Sequence, residues 1–429
     1  MHERYGEVVR IAPGELSFIS ETAWKEIYAY HSGRPAWIKA ERRPPFPNNI
    51  EPILTTSDAA HTRQRRLLAH AFSEKALKEQ EGIIIKYVDL LVEKLGEQVK
   101  IGQNPVDMVS WFNHTTFDII GDFTYGESFH SLEEGGYHPW VWSIYHGIKA
   151  SVLMFALKDL LPFKGLAKLL TPSSMRKLSN ANFTYSQDKI QRRLDKGAID
   201  HPDFMSYVLK YNDERGMSRG EIDSTFSILA LAGSETTATL LSGCTFYLLE
   251  NPAVYAKLTH EIFAAFTDGA EISIDSTNRL SYLKAVLEES LRIYPPVPSA
   301  LSRVVAPPGD TISGYFVPGG TIVGIPHNTA YHSPRNFTAP DTFIPERWLP
   351  EYADEFAGDR KAVCMPFSAG NWNCIGKNLA NAEMRLILAK MVWNFEMSLA
   401  DAEDNWADQK VYGLWDKKPL TVNLTARSK

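Results

Sequence analysis

Apolar residues recur at intervals of three and four along several stretches of the chain, which is the spacing of one face of an amphipathic helix. Residues 221–249 are apolar almost all round, which predicts a helix buried on every side. The same reasoning predicts helices at 24–30, 60–72, 107–129 and 281–298. The clearest repeat lies near the C-terminal end, within residues 377–395, at Leu379, Ala382, Leu386, Ala389 and Trp393.

Two other stretches alternate around turn-forming residues, which predicts β-hairpins. One is residues 8–19, centred on Pro13 and Gly14, and the other is residues 311–325, with its turn at residues 318–320. Residues 43–57 are rich in proline, which predicts a loop. No linker, repeat or low-complexity tract divides the sequence, so it predicts one domain over residues 1–429.

The charge balance and the cysteine count exclude some classes of protein. With 45 basic and 51 acidic residues the net charge is -6, so nothing supports nucleic-acid binding. Three cysteines, an odd number, argue against a disulfide framework and fit a reducing compartment. No stretch approaches the ~18 consecutive apolar residues of a membrane-spanning helix, and the first residues lack the apolar core of a signal peptide. The chain as given is therefore expected to be soluble.

One cysteine stands apart from the other two. Cys374 lies in the segment FSAGNWNCIG, residues 367–376, directly before the helix predicted at 377–395. Unpaired backbone donors and the positive end of a helix dipole favour a thiolate at such a position. A thiolate held in this way serves as a nucleophile, a redox thiol or an axial metal ligand. Cys244 and Cys364 lack this setting, and we interpret them as small buried hydrophobes.

The segment resembles the haem-binding signature of the cytochrome P450 family, with Phe367, Gly370, Cys374 and Gly376 in register. The resemblance implies haem b, iron protoporphyrin IX, with Cys374 as the thiolate ligand of the iron. It implies that the glycines let the backbone approach the flat macrocycle closely. It also implies a mainly α fold with small β-sheets, in which the haem lies between a long central helix and the cysteine loop.

A second signature lies inside the helix predicted at 221–249. Its middle reads AGSETT, where Gly233 costs the helix about 1 kcal/mol relative to alanine and Glu235 is an expensive charge to bury. A local violation inside a strong helix indicates function. In the resembled family this motif lines the oxygen pocket. The resemblance implies that Gly233 leaves room for dioxygen, that Thr236 donates a hydrogen bond to it and that Glu235 relays protons through water.

Candidate propionate-binding residues lie outside the cysteine segment. His61 and Arg65 are four residues apart on one helix face, which alone predicts no more than a solvated basic face. The resemblance implies that both bind the haem propionates, and that Arg303 does so too. Family members commonly carry arginine where this chain has Trp372. We therefore expect His61, Arg65 and Arg303 to neutralise the propionates and Trp372 to pack against the haem.

A third signature concerns the core around the haem loop. Glu289 and Arg292 are three residues apart on one helix face, as an intrahelical ion pair requires. Surface pairs of this kind are common and contribute little to stability. Together with Arg347, in the later sequence PERW, they resemble the Glu-Arg-Arg network of the family. The resemblance implies that this network locks the fold around the haem loop.

The substrate pocket and a membrane contact are predicted with alternatives. Residues 149–170 mix apolar residues with lysines, which fits either a patch that dips into a membrane surface or two amphipathic helices over a core. The candidate pocket residues are apolar, which fits an apolar ligand and equally fits a plain hydrophobic core. They are Phe226, Leu229, Ala230, Val297, Ala300 and Leu414.

The resemblance implies a monooxygenase that uses O2 and NADPH-derived electrons to hydroxylate or epoxidise an apolar small molecule, in the style of fungal enzymes of secondary metabolism. The chain carries no Rossmann fingerprint and no fused flavin domain. Electrons are therefore expected from a separate NADPH-cytochrome P450 reductase. Its expected docking contacts, on the cysteine side of the haem, are Lys377, Arg63 and Arg66.

Eukaryotic members of the resembled family usually begin with a membrane anchor, at the cytosolic face of the endoplasmic reticulum. This sequence starts where their globular part starts, so we expect the anchor to be missing from it. Two rival functions stay open. One is a haem-thiolate enzyme that isomerises, dehydrates or couples its substrate, and Glu235 and Thr236 argue against it. The other is a non-catalytic haem-binding relative, a sensor among them, which the absence of an attached signalling domain disfavours.

Overall fold

The computed structural model describes residues 1–29, 37–40, 46–136, 140, 147, 149, 152, 173–197, 200–212 and 216–427. Elements are numbered within these residues. The predicted membrane patch at 149–170 lies outside them except for Lys149 and Val152. Among the described residues, no helix combines the length and the apolar character needed to cross a bilayer.

Helices make up most of the described chain, and the predicted helices are present with their ends moved by up to five residues. Within the described ranges the helices are α1 (His2–Tyr5), α2 (Glu21–Tyr28), α3 (Asp58–Leu68), α4 (Glu74–Lys100), α5 (Met108–Tyr125), α6 (Ser131–Glu134), α7 (Ser173–Asp195), α8 (Phe204–Tyr211), α9 (Arg219–Glu250), α10 (Pro252–Ala265), α11 (Ile274–Thr277), α12 (Ser281–Ile293), α13 (His327–Tyr331) and α14 (Lys377–Asn394).

The central helix is α9, and its start is fixed by a capping box. The Ser218 hydroxyl accepts a hydrogen bond from the backbone N–H of Glu221, and the Glu221 carboxylate accepts one from the backbone N–H of Ser218 at 2.8 Å. Such reciprocal bonds satisfy donors that a helix start leaves unpaired. The helix packs along α5 so closely that a Cβ on Gly233 would lie 2.6 Å from Cδ1 of Ile120. Gly233 is therefore a crossing point of two buried helices.

The strands form small sheets beside the helices. The largest sheet has the order β1-β2-β7-β4, with β2 and β7 parallel and the other neighbours antiparallel, and a three-stranded antiparallel sheet has the order β3-β11-β8. Two strand pairs, β5 with β6 and β9 with β10, complete the set in the described residues. The strands are β1 (Val8–Ala12), β2 (Glu15–Phe18), β3 (Val106–Asp107), β4 (Arg303–Val304), β5 (Gly309–Ile312), β6 (Tyr315–Pro318), β7 (Ile322–Gly324), β8 (Phe395–Leu399), β9 (Val411–Tyr412), β10 (Leu414–Trp415) and β11 (Thr421–Ala426).

The hairpin predicted at 8–19 is confirmed by β1 and β2, but the turn predicted at 318–320 is wrong. The chain turns at Ser313 and Gly314, both with positive φ, so that β5 pairs with β6. The segment after residues 318–320 forms β7, which joins the other sheet beside β2 and β4. A two-residue loop with positive φ at both positions matches the twist of antiparallel strands, which is why the hairpin closes there.

Two hydrophobic clusters hold the fold together. The larger one combines side chains of α4, α5, α9, α12 and α14, and the smaller one combines α2 with the strands of the four-stranded sheet. The cysteine segment contributes to both clusters, since Phe367 packs on the larger and Ala369 on the smaller. The candidate site is therefore built where the two clusters meet.

Candidate active site

Cys374 lies in a loop that leads directly into α14. Its backbone N–H donates to the carbonyl of Phe367 at 2.8 Å, and the backbone N–H of Gly376 points at its sulfur. The thiol is accessible although protein surrounds it closely. Burial raises its pKa, while the Gly376 amide, Arg65 and Lys377 act in the opposite direction. The helix start thus supplies the predicted stabilisation of a thiolate, but in the protein alone desolvation outweighs it.

The two glycines of the segment do different things. Gly370 has φ +70°, and a Cβ there would lie 2.0 Å from the backbone oxygen of Tyr28. The contact with the end of α2 and the positive φ are enough to require glycine at position 370, and its approach to the macrocycle stays a prediction. Gly376 has an ordinary φ of -85°, and an added Cβ would lie 3.9 Å from the Cys374 sulfur. Glycine at position 376 therefore keeps space open beside the thiol.

The predicted propionate residues converge on the cysteine loop. Arg65 donates to the backbone oxygen of Asn373 at 2.7 Å and to its side-chain oxygen at 2.5 Å. Arg303 is buried and its guanidinium lies 5.1 Å from the centre of the Tyr28 ring, next to the Gly370 contact. Arg65 thus reaches the loop from a distant part of the chain, whereas Arg303 lies beside Tyr28 and donates to the backbone oxygen of Leu301 at 3.0 Å.

His61 and Trp372 form a stack that the sequence did not indicate. Their ring centroids are 3.7 Å apart, and Nζ of Lys39 lies 4.1 Å from the centroid of the indole. The indole N–H donates to Asp58 at 3.0 Å. Trp372 therefore packs against His61 and Lys39, and its packing against the haem stays a prediction. Lys39 and Asp58 were missed because no periodic pattern connects them to a residue more than 300 positions later.

His61 also differs from the cation that the sequence implied. Burial, Arg65 and Lys39 lower its pKa to about 4, and Asp58 opposes them only in part. The imidazole is consequently neutral near pH 7 and offers one N–H donor rather than a charge. The positive charges of this corner come from Lys39, Arg65 and Arg303.

The accessible residues of α9 form a strip on a different face of the helix from the residues that were predicted to line the pocket. Ala232 is exposed in the middle of this otherwise buried helix, and Ile228 and Thr236, four residues to either side, are partly exposed. Phe226 and Ala230 have no exposed surface and belong to the core, which corrects their assignment to the pocket.

The other pocket candidates keep some accessible surface. Val297, Ala300 and Leu414 are partly exposed, and Leu229 retains 8%. The residues of the AGSETT segment take separate positions. Thr236 lies on the accessible strip, where its hydroxyl donates to the backbone oxygen of Ala232 at 2.7 Å. Fewer of the candidate residues are therefore accessible than the sequence predicted, and their role in a pocket stays a prediction.

Glu235 is buried at the edge of that strip, and sequence reasoning missed its partner. Its Oε1 accepts from Nζ of Lys417 at 2.6 Å and from the hydroxyl of Thr239 at 3.2 Å. Lys417 Nζ also donates to the Thr239 oxygen at 2.7 Å. The second oxygen, Oε2, is buried without a hydrogen-bond partner among the described residues. The carboxylate is thus paired on one oxygen only.

Glu289, Arg292 and Arg347 meet in the interior, each with no exposed surface. Arg292 donates two hydrogen bonds to the Glu289 carboxylate, at 2.9 and 2.7 Å, and Arg347 donates one at 3.1 Å. The indole of Trp348 and the backbone N–H of Ile344 complete the acceptor capacity of Glu289. Every polar group of the carboxylate is therefore satisfied, as a buried charge requires.

One partner of this network was also missed by sequence reasoning. Asp359 forms a buried ion pair with the guanidinium of Arg347, whose remaining donors face backbone oxygens. The extra carboxylate balances the second arginine, so the buried group carries two positive and two negative charges. Such balance makes the arrangement tolerable in a low-dielectric interior.

The predicted reductase contacts separate into two kinds. Arg66 and Lys377 are exposed on the surface near the cysteine loop. Arg63 instead forms an ion pair with Glu221 at 2.5 Å and binds the backbone oxygen of Gly216. Arg63 therefore holds α3 to the start of α9, which corrects its assignment as a free docking contact.

These residues fit a haem with one thiolate ligand. An accessible thiol beside an open glycine, an accessible strip on the central helix and a group of cations near the loop are the features that such a cofactor requires. The cations suit two carboxylates, because arginine offers a planar fork of donors.

Comparisons with known proteins agree with this fit. The family model for cytochrome P450 matches residues 1–423. The chain is 46% identical over 431 residues to the cytochrome P450 monooxygenase lcsI of Purpureocillium lilacinum, which covers 99% of this chain and 83% of that relative. It is 44% identical over 434 residues to averantin hydroxylase of Dothistroma septosporum, covering 100% of this chain and 81% of the relative. It is also 44% identical over 435 residues to averantin hydroxylase of Aspergillus parasiticus, covering 100% and 86%.

Proposed function

We propose, from the premise that the chain belongs to the cytochrome P450 family, that it hydroxylates or epoxidises an apolar small molecule of fungal secondary metabolism. The observation that carries the proposal is the accessible Cys374 thiol at the start of α14, combined with an accessible strip on α9. Residues 1–429 act in this proposal as one haem-thiolate domain.

The proposal assigns the cofactor to haem b, held by Cys374 as its iron ligand. Arg65 and Arg303, joined by Lys39, would neutralise its propionates, and the neutral His61 would add a single N–H donor. When bound, the haem supplies the iron centre that activates dioxygen with two electrons. The chain itself holds the thiolate, excludes water with its apolar core and places proton-carrying groups on α9.

The proton-carrying groups are Thr236 and Glu235. The Thr236 hydroxyl, on the accessible strip, offers a hydrogen bond to a small molecule in the pocket once it leaves the oxygen of Ala232. Glu235 has an unpaired Oε2 that is able to accept a proton and pass it on. Gly233 has no side chain, and this lets α9 cross α5 at Ile120, three residues before Thr236.

Electrons are proposed to come from NADPH through a separate NADPH-cytochrome P450 reductase. The exposed cations Arg66 and Lys377 support docking of an acidic partner near the cysteine loop. The protein is proposed to lie at the cytosolic face of the endoplasmic reticulum membrane, with residues 149–170 as a contact with the membrane surface.

Averantin is the first substrate to test, because two of the relatives reported above are averantin hydroxylases. The first experiment is the absorption spectrum of the reduced, carbon monoxide-bound protein. We expect the red-shifted Soret band of thiolate-ligated haem, and we expect Cys374→Ala to abolish it. A band that survives this substitution would overturn the ligand assignment.

The second experiment tests the reaction. Holoenzyme, a fungal reductase, NADPH and averantin are expected to give an oxygen-dependent product that gains one oxygen atom. A product isomeric with averantin or short of water would favour isomerisation or dehydration instead. Haem binding without turnover of averantin or of a panel of apolar metabolites would favour the non-catalytic relative.

A further inference from the structure

We propose that Lys417 is a positioning residue for Glu235, which keeps this carboxylate ionised and holds its second oxygen, Oε2, open for proton exchange. The inference rests on the proposed function for its catalytic meaning, and on the geometry alone for the pairing itself. Lys417 lies two residues after β10, in a part of the chain that carried no signature in the sequence.

The pair is built as a buried unit. The side chains of Lys417 and Glu235 are 5% and 3% exposed, and their charged atoms are 2.6 Å apart. Thr239, one helical turn after Glu235, bonds to both partners. Because all these contacts use Oε1, the carboxylate is fixed in one rotation about its last bond. Oε2 is then the oxygen that remains available.

The surroundings give Glu235 no second cation among the described contacts. The phenol of Tyr294 also interacts with Glu235, and its pKa is raised above its ordinary range first by burial and then by the charge of Glu235. An ionised carboxylate without a partner in such a place is strongly disfavoured and takes up a proton instead. The charge of Glu235 therefore depends on Lys417.

The same lysine connects the acid to the turn that carries the pocket candidate Leu414. Lys417 follows Leu414 and Trp415, and the Trp415 indole donates to the backbone oxygen of Pro295 at 2.8 Å while it stacks on Tyr294. The turn is thus fastened to α9 by an ion pair and to the end of α12 by a ring stack. A displacement of Leu414 would move Lys417 with it.

The direct test is infrared spectroscopy of the ferric holoenzyme in H2O and D2O. In Lys417→Met we expect a carbonyl band of a protonated carboxyl group that is absent from the wild type and shifts in D2O. The band should disappear again in the Glu235→Gln/Lys417→Met double variant and stay absent in Lys417→Arg. Lys418→Met is the matched control, because the neighbouring lysine pairs with Asp404 at the surface.

Folding provides a second readout. The double variant removes both charges of the pair, whereas Lys417→Met leaves Glu235 without its cation, so the double variant should accumulate as folded holoenzyme better than Lys417→Met and have the higher thermal midpoint. A Lys417→Met protein without a new carboxyl band, or with a band that persists in the double variant, would overturn the pairing. Equal midpoints of the single and double variants would contradict it too.

The catalytic meaning is tested with averantin as the probe. Glu235→Gln and Lys417→Met should each lower the rate of product formation by about a hundredfold. Lys417→Arg should keep most of the rate, and the double variant should be no slower than either single one. Additive losses would show that Lys417 acts independently of Glu235. If averantin is not consumed by the wild type, the substrate proposal fails, and the infrared and midpoint tests still decide the pairing.

Discussion

Gly370 offers the sharpest test of how the cysteine loop is held. Its φ of +70° lies in the left-handed region, and a Cβ would come within 2.0 Å of the Tyr28 oxygen, an atom of rigid backbone. Alanine in that conformation costs about 1–2 kcal/mol, and forcing the contact apart costs about 1–3 kcal/mol more. We therefore expect Gly370→Ala to lose about 2–5 kcal/mol of unfolding free energy.

Gly376→Ala is the matched control in the same loop. Its φ of -85° suits any residue, and its nearest new contacts would be ordinary ones at 3.8 and 3.9 Å. Urea unfolding followed by tryptophan fluorescence should show a large shift of the midpoint for Gly370→Ala and a shift equivalent to less than about 1 kcal/mol for Gly376→Ala. Equal shifts would refute the reasoning that the positive φ and the Tyr28 contact require glycine at position 370.

Three other predictions follow from contacts described by the structure. Asp122 accepts from His201 and raises the pKa of that imidazole, so the pair stabilises the fold below about pH 6.5 and its contribution is lost as pH rises through the raised pKa. The stability difference between the wild type and His201→Gln should therefore be larger at pH 6 than at pH 9, by at most about 1 kcal/mol because the imidazole is partly exposed, and equal differences would contradict this. Glu289→Gln leaves the buried guanidinium group of Arg292 without a carboxylate partner, because Asp359 pairs only with Arg347. It should therefore cost about 3–5 kcal/mol and sharply lower the yield of haem-loaded protein. A yield like that of the wild type would contradict the role of the network. Lys39→Met should release haem to apomyoglobin about tenfold faster than the wild type, as expected for loss of one charge-assisted hydrogen bond. An unchanged rate would show that Lys39 does not bind the propionates.

Periodicity was sufficient to place the helices because their repeats are local. Periodicity did not show how α9 is rotated about its own axis, since a helix that is apolar all round has no single hydrophobic face to orient it. This is why Phe226 and Ala230 were assigned to the pocket, while the accessible strip runs through Ile228 and Ala232. The helix could be predicted from sequence, but its rotation depends on α5 and on the other elements packed around it.

The partners of the buried charged residues could not be identified from the sequence for a related reason. Glu235 was recognised as an expensive charge in a helix, but its partner Lys417 lies 182 positions away and belongs to no repeat or motif. Arg347 was recognised through a motif, whereas Asp359 was not. A motif identifies a residue with an unusual local cost, and only the tertiary structure shows which distant side chain offsets it.

The bond between Arg65 and the Asn373 carbonyl joins residues 308 positions apart, and it has a consequence for biosynthesis. A ribosome makes the N-terminal half of this site several hundred residues before the segment that carries the thiolate. Contacts between residues so far apart in sequence form late, because the entropy cost of closing a long loop must be met before the contact stabilises the chain. A nascent chain that has exposed α3 but not Cys374 lacks the proposed ligand for iron. Arresting translation before and after residue 376 and measuring haem capture by the ribosome-bound chains would therefore time the maturation of the enzyme.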